Sequence, residues 1–479
     1  MTTASPTIPV RNPLTGSVDH EITPVGADEI AATAARLRTA QRAWGSRPIE
    51  ERVQVMQRWA EAVAASAGTL ADADATDTGG ASISKASPFL VLGMIRDWCR
   101  VGPGMLDTLR LEGDSSLHPT MRYRTQLIPY QIVGVISPWN APLMQSMMDA
   151  IPALIAGCAV IVKPSEVAPR FVEPLRETIA SVPELREVFE IVLGGPETGS
   201  ALVAEADVVC FTGSIATGKA IATAAAQRLI PVYLELGGND PVIVTETADL
   251  QRAAGAIVSG AVSGTGQVCF SVERVYAHES IAAELAELVA AAARQVSLNT
   301  PENPREGDLG PFGFQPQAAK VAEHLQDALD RGARIIEGGF PFRQGGADYM
   351  RPTVLVDVDD TMLCMREETF GPVIPIATYR DIDDAIHRAN DTEYGLSASV
   401  FAGSLDEAEE IAELLEAGTV SVQDTCLTTF KGRDIGNDAY RSSGLGGDRT
   451  GPRTILRYVR KKSILTNHGT PFPLGAQPK

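Results

Sequence analysis

Short apolar runs alternate with longer amphipathic ones from Gln131 onward: Ile132-Val133-Gly134-Val135-Ile136, Ala159-Val160-Ile161-Val162, Phe189-Glu190-Ile191-Val192-Leu193 and Val208-Val209-Cys210-Phe211. Strands with so few polar positions need cover on both faces, and the helical connections between them provide it, so the pattern predicts a parallel, doubly covered sheet. A second alternating series follows Cys269, with strands near Arg274-Val275-Tyr276, Thr353–Val356, Val373–Ile376 and Thr419–Val422 and helices near Ile281–Val296 and Leu405–Ala417. Two α/β domains are expected, and 479 residues with 44% hydrophobic content supply the core for both. Upstream, Ala27–Trp44 and Glu50–Ala73 repeat apolar residues at helical spacing and read as cover. Met121–Pro129 and Thr454–Leu465 look strand-like but belong to neither series, which makes them candidates for a sheet shared between subunits.

Composition narrows the functions available. A formal charge of −19 repels phosphate backbones and anionic membranes, so neither nucleic-acid binding nor membrane-surface attachment is expected. The start Met1-Thr2-Thr3-Ala4-Ser5-Pro6 lacks a basic-then-apolar pattern and no apolar run reaches spanning length, so a cytoplasmic location is expected. The six cysteines and six histidines are scattered without CxxC or metal-ligand spacing, which predicts no disulfide and no metal site.

Two glycine-rich turns follow strands and enter helices: Gly194-Gly195-Pro196-Glu197-Thr198-Gly199, and Phe211-Thr212-Gly213-Ser214-Ile215-Ala216-Thr217-Gly218-Lys219. Free amides and the helix dipole at such turns attract phosphate oxygens. The second also matches a P-loop until Ala220 stands where a magnesium-binding hydroxyl belongs, which leaves an NTPase as a remote alternative. Two further segments carry reactive groups among glycines. Leu234-Glu235-Leu236-Gly237-Gly238-Asn239 brings a carboxylate and Gly264-Thr265-Gly266-Gln267-Val268-Cys269 a thiol, a pairing that suggests a covalent enzyme with a base to complete its cycle.

With these motifs in order, the chain resembles the aldehyde dehydrogenase superfamily over nearly its whole length. The match rests on Ser137-Pro138-Trp139-Asn140-Ala141-Pro142, Lys163-Pro164-Ser165-Glu166, Phe211-Thr212-Gly213-Ser214, Leu234-Glu235-Leu236-Gly237-Gly238, Gly266-Gln267-Val268-Cys269, Glu367-Glu368-Thr369-Phe370-Gly371-Pro372 and Tyr394-Gly395-Leu396-Ser397. The resemblance implies an α/β fold: a Rossmann-like parallel-sheet cofactor domain (1–112 and 131–237), a second α/β catalytic domain (238–440), and a small β oligomerisation element with a C-terminal tail (113–130 and 441–479), in a homodimer or homotetramer. It also implies roles. Cys269 is the nucleophile, Asn140 the oxyanion donor and Glu235 the base that hydrolyses a thioester. The cofactor residues are Ile136, Pro138, Trp139, Lys163, Ser165, Glu166, Gly195, Gly199, Phe211, Gly213, Ser214, Thr217, Leu236, Glu368 and Phe370. Glu166 at the adenosine ribose would repel a 2′-phosphate, so NAD is expected ahead of NADP.

The family pattern is broken where loops border the aldehyde tunnel: Gln423-Asp424-Thr425-Cys426 follows the strand at Thr419, and Asp434-Ile435-Gly436-Asn437-Asp438-Ala439-Tyr440 replaces a Pro-Phe-Gly-Gly loop before Arg441-Ser442-Ser443-Gly444 restores the pattern. On the other wall Met144, Met148, Val268 and Phe270 suit an apolar aliphatic or aromatic aldehyde. The alternatives are a CoA-acylating relative and a non-catalytic NAD-binding member.

Overall fold

The computed structural model describes residues 7–80, 82–300, 303 and 306–471, so the ends of the assigned domain ranges, 1–6 and 472–479, lie outside it. The first predicted series forms a six-stranded sheet in the order Gly444–Leu445, Val232–Glu235, Val208–Thr212, Ile132–Ile136, Ala159–Lys163, Phe189–Ile191. Every pairing is parallel except that of the edge strand Gly444–Leu445, which comes from outside the range 131–237 and runs antiparallel to Val232–Glu235. The strands Ile132–Ile136, Ala159–Lys163 and Val208–Thr212 are buried at every position, as apolar strands without alternation require. Helices Ala27–Ser46, Ile49–Ala65, Ser82–Asp107 and Pro142–Ala156 share one apolar core with this sheet. Within it, buried Trp44 donates Nε1–H to the Leu154 carbonyl at 3.0 Å, and Trp59 donates to Thr178 Oγ1 at 3.0 Å. The chain leaves Ile132–Ile136 toward one side of the sheet and later returns on its other side, so a crevice opens at the carboxyl ends of these strands.

The second series builds a seven-stranded sheet in the order Arg334–Glu337, Thr353–Val356, Val373–Tyr379, Val272–His278, Asp240–Val244, Ser397–Phe401, Thr419–Val422, with only the first of these antiparallel to its neighbour. Its helices Leu250–Val262, Ala282–Gln295, Gln315–Asp330, Ile382–Asn390 and Leu405–Ala412 bury two apolar clusters against it. A three-stranded antiparallel sheet joins Val459–Asn467, Met121–Pro129 and Glu112–Asp114, and the first two pair along their full length. Among the described residues no helix is long and apolar enough to cross a membrane.

Local departures have local causes. The helix expected over Glu50–Ala73 is two, Ile49–Ala65 and Ala67–Thr78, which meet at Ser66 just before Gly68, and both residue types weaken a helix interior. Thr454–Tyr458 is not strand but part of a 3₁₀ segment, Pro452–Tyr458. It buries Thr454, Ile455 and Tyr458, a spacing that an extended strand would split between two faces. Leu405–Ala412 ends five residues short of the expected Ala417, on the way into Gly418.

Leu154 is fully buried on the helix that backs the nucleotide-side sheet. Leu154→Ala should cost about 2 to 5 kcal/mol by leaving a cavity there, seen as a lower denaturation midpoint in a chain that still binds nucleotide. An unchanged midpoint would mean that this contact does not hold the first domain together.

Candidate active site

A cleft of about 870 Å³ lies at the carboxyl ends of the first sheet's central strands and reaches the second domain. Its wall contains every residue expected to meet the cofactor. Ile136, Pro138 and Trp139 come from the turn after Ile132–Ile136; Lys163, Ser165 and Glu166 follow the neighbouring strand. Gly195 and Gly199 begin one helix, Phe211, Gly213, Ser214 and Thr217 lead into another, Leu236 follows the last strand, and Glu368 and Phe370 come from the second domain. Asn140 and Cys269 are on the same wall.

The residues fit a dinucleotide. Two helices begin at the cleft, one after Gly195 and one after Ser214, and Ser214 caps the second by accepting from Thr217 N. Lys163 is buried with its Nζ 3.0 Å from Glu166 Oε2, which puts a cation and a carboxylate together on the cleft wall, a pair able to hydrogen-bond a sugar hydroxyl. Thr212 Oγ1 is buried on the wall without a hydrogen-bond partner among the described residues. The volume lies within the range of about 300 to 1,000 Å³ usual for small-molecule and cofactor sites. Trp139 sits between Phe314 and Phe370 of the second domain, with ring centroids 5.6 and 5.7 Å away.

The thiol is set by backbone geometry. Helix Leu250–Val262 ends in the turn Ser263–Gly266, where Gly264, Thr265 and Gly266 all adopt positive φ. A Cβ on Gly266 would lie 2.3 Å from the Gly371 carbonyl carbon, and one on Gly238 would lie 2.4 Å from the Cys269 carbonyl oxygen. Asn140 Nδ2 donates to the Gln267 carbonyl at 2.8 Å, holding its amide beside the thiol-bearing segment. The loop with Glu368 and Phe370 is fixed from below. Buried Glu273 accepts from the amides of Thr369 and Phe370, both at 2.7 Å, and so supports Phe370 in a left-handed conformation with φ 53°. Lys320 Nζ donates to the Glu368 carbonyl at 2.7 Å, and Glu368 Oε1 accepts from Gly238 N at 3.1 Å.

Burial sets the protonation of the site, and neighbouring charges adjust it. The Cys269 thiol is pushed above its ordinary range by burial, then by Glu368, Glu235 and Asp240, so it rests as a neutral thiol. Glu235 is pushed up to about 7 by burial, against the opposing pull of Arg449 and Arg457. Asp240 rises to about 8 because it is buried, although Ser397 donates to both of its oxygens.

Not every expected residue faces the cleft. Glu235 lies off its wall, beside a space too tight for a water molecule shared with Asp149, Arg449 and Arg457. Of the four tunnel residues, Met144 and Met148 pack against the first core, Val268 is buried and Phe270 half-buried, and none lines the cleft. The divergent loop lies against the thiol segment from the other side: Cys426 Sγ donates to the Phe270 carbonyl at 3.3 Å. The wall also includes Gln145, Phe314, Gln317 and Lys320, which sequence reasoning passed over. The last three recur every third residue at the start of helix Gln315–Asp330, a spacing that marks one face but names no chemistry. Glu273 was equally silent, because a buried carboxylate inside a strand shows its two amide partners only in three dimensions.

Residues 1–464 match the family described as the aldehyde dehydrogenase family. A Mycolicibacterium smegmatis protein named Putative succinate-semialdehyde dehydrogenase, NADP(+), is 38% identical over 465 residues, covering 96% of this chain and 88% of that one. The Anabaena variabilis structure named Putative Aldehyde Dehydrogenase PutA is 43% identical with a TM-score of 0.94, covering 98% of this chain and 100% of the other. Betaine aldehyde dehydrogenase from Staphylococcus aureus, solved in complex with NAD+, is 26% identical with a TM-score of 0.91, covering 98% and 94%.

Removing the Glu273 carboxyl group strips two hydrogen bonds from the 368–370 loop. Glu273→Ala should weaken nucleotide binding and turnover together, by at least about tenfold in kcat/KM, since each amide left without its partner costs about 1 to 3 kcal/mol. Steady-state kinetics with varied nucleotide checks this, and unchanged constants would show that the loop holds itself.

Proposed function

The chain belongs to the aldehyde dehydrogenase family, whose members oxidise aldehydes to acids with NAD(P), and on that premise we propose that it does so through a Cys269 thioester hydrolysed with Glu235 as base. The observation that carries the reading is the shared wall: Cys269, Asn140 and the whole expected cofactor set border one cleft. Cys269 Sγ gives its proton to solvent and attacks the aldehyde carbon, and the oxygen that gains negative charge takes a hydrogen bond from the Asn140 amide, turned from the Gln267 carbonyl it meets at rest. When bound, the nicotinamide supplies the acceptor for the hydride that leaves this carbon. Glu235 then takes a proton from water as the water attacks the thioester, and the acid leaves with the thiol restored. A carboxylate in this role favours a free acid over an acyl-CoA product. The residues of the second glycine turn serve the cofactor rather than an NTP, and Lys219, which a P-loop would direct at phosphate, is exposed and off the cleft wall.

NAD is the preferred nucleotide, because Glu166 offers a carboxylate where a 2′-phosphate would sit. The aldehyde is apolar, aliphatic or aromatic, a reading supported by Phe270 next to the thiol and by Met144 and Met148 on the helix after Asn140. A second reading, a charged aldehyde, is favoured by Lys431 in the divergent loop: its Nζ is buried without a partner, and one relative is named for succinate semialdehyde. The exposed alternate residues of Met121–Pro129 and its partner Val459–Asn467 support a homodimer or homotetramer built on this small sheet.

Because Glu235 titrates near 7 and must be ionised to act, turnover should fall as the pH drops through about 7. Glu235→Gln should still release a first equivalent of NADH and then turn over at least about a hundredfold more slowly; full steady-state activity in that variant would remove Glu235 from the base role. A panel of aliphatic, aromatic and carboxylate-bearing aldehydes, run with NAD and with NADP, should give the highest kcat/KM for an apolar aldehyde with NAD. A carboxylate-bearing aldehyde at the top, lost in Lys431→Gln, would establish the second reading instead.

A further inference from the structure

Beside Glu235, off the wall of the cleft, lies a buried ionic cluster that the chemistry above does not use. Asp149 and Arg449 are 1% and 6% exposed. Arg449 Nη2 lies 2.6 Å from Asp149 Oδ2, its Nε donates to the same oxygen at 2.9 Å, and its Nη1 donates to Gln145 Oε1 at 3.1 Å. The other Asp149 oxygen accepts from Tyr458 OH at 2.9 Å and faces Arg457 Nη1 at 3.8 Å. Arg457 is itself stacked over the Tyr233 ring, 4.1 Å from its centroid. Glu235, Asp149, Arg449 and Arg457 border one space that is too tight for a water molecule.

We propose that Arg449, locked in place by Asp149, is a positioning residue that serves as the fixed counter-charge of the Glu235 carboxylate. Charge balance supports this. Two guanidinium groups and Asp149 leave one positive charge buried, and an ionised Glu235 offsets it; the space between the groups is too tight for a water molecule, so screening is weak. Two hydrogen bonds and an ion pair, to Asp149 and Gln145, keep the guanidinium from swinging away, and Gln145 reaches the wall of the cleft that holds Cys269. The other charged or titratable groups near Glu235 are Arg457, Asp149, Lys431 from the divergent loop, Tyr233 on its own strand, and Cys269. Lys431 lacks any partner to fix its direction, whereas Arg449 is tied down.

This inference rests on reading Glu235 as the base. The test follows the acidic limb of turnover against pH, with the NADH burst recorded at each pH, in Arg449→Gln, Arg449→Lys and the exchanged pair Asp149→Arg/Arg449→Asp. Loss of the cation makes ionised Glu235 less favourable, so the limb in Arg449→Gln should move up by about one pH unit, or about tenfold less turnover below it, while the burst persists. Arg449→Lys should largely restore the parent limb. The exchanged pair keeps its internal attraction but turns a carboxylate toward Glu235, and should move the limb at least as far. A folded Arg449→Gln with an unmoved limb overturns the proposal. If that variant does not fold, an exchanged pair with the parent limb does the same. Failure of the base reading is separable: full turnover in Glu235→Gln would sink it, whereas a slow Glu235→Gln beside an unmoved Arg449→Gln limb sinks only the role of Arg449.

Discussion

The site exists because residue 238 has no side chain. The Cys269 carbonyl passes through the place where a Cβ of that residue would stand, and the Glu368 carboxylate does the same at Gly237, 2.6 Å from the position its Cβ would take. Gly266 meets Gly371 as closely. Backbone from the first sheet, from the thiol turn and from the 368–370 loop can therefore meet with nothing between them, and the contact puts a residue from each domain on the same cleft. Asn140, Lys320 and Glu273 keep these segments in register once they have met.

What could be foreseen divides along the same physical line. Period and apolar content are local properties, so both alternating series emerged from the sequence alone, as did the glycine turns whose helices begin at Pro196 and Ile215. The cofactor set gathered on one wall because each member follows directly on a strand or a family motif that is contiguous in the chain. Contacts made across hundreds of residues left no such mark. Arg449 meets Asp149 across 300 positions, and Glu273 meets Thr369 across 96. The strand expected at Thr454 failed for a related reason: Tyr458 turns inward to reach Asp149, a demand that its neighbours in sequence do not reveal. The tunnel was the least legible part, since Met144 and Met148 satisfy a helical spacing whether they face a substrate or a core, and both are half-buried against the edge of the first core.

The thiol sits among carboxylates, where an enzyme using a permanent thiolate would place cations. Glu368, Glu235 and Asp240 all disfavour a negative sulfur. A neutral thiol reacts slowly with oxidants and stray electrophiles, so this arrangement protects the nucleophile at rest and ties its activation to a proton acceptor. The same carboxylates are themselves raised by burial, Glu235 and Glu368 both to about 7, which leaves the pocket able to take up protons in the range where cells operate.

The divergent loop between Val422 and Gly444 is tethered at both ends by sheet pairing, one strand in the second domain and one at the edge of the first. Its interior can change in length and composition while its two anchor points remain fixed, because neither anchor depends on what lies between them. That makes the segment an exchangeable cassette: selectivity for one aldehyde over another can drift, or be grafted from a homologue, provided the Cys426 contact to the Phe270 carbonyl and the Lys431 charge near Glu235 are carried over with it.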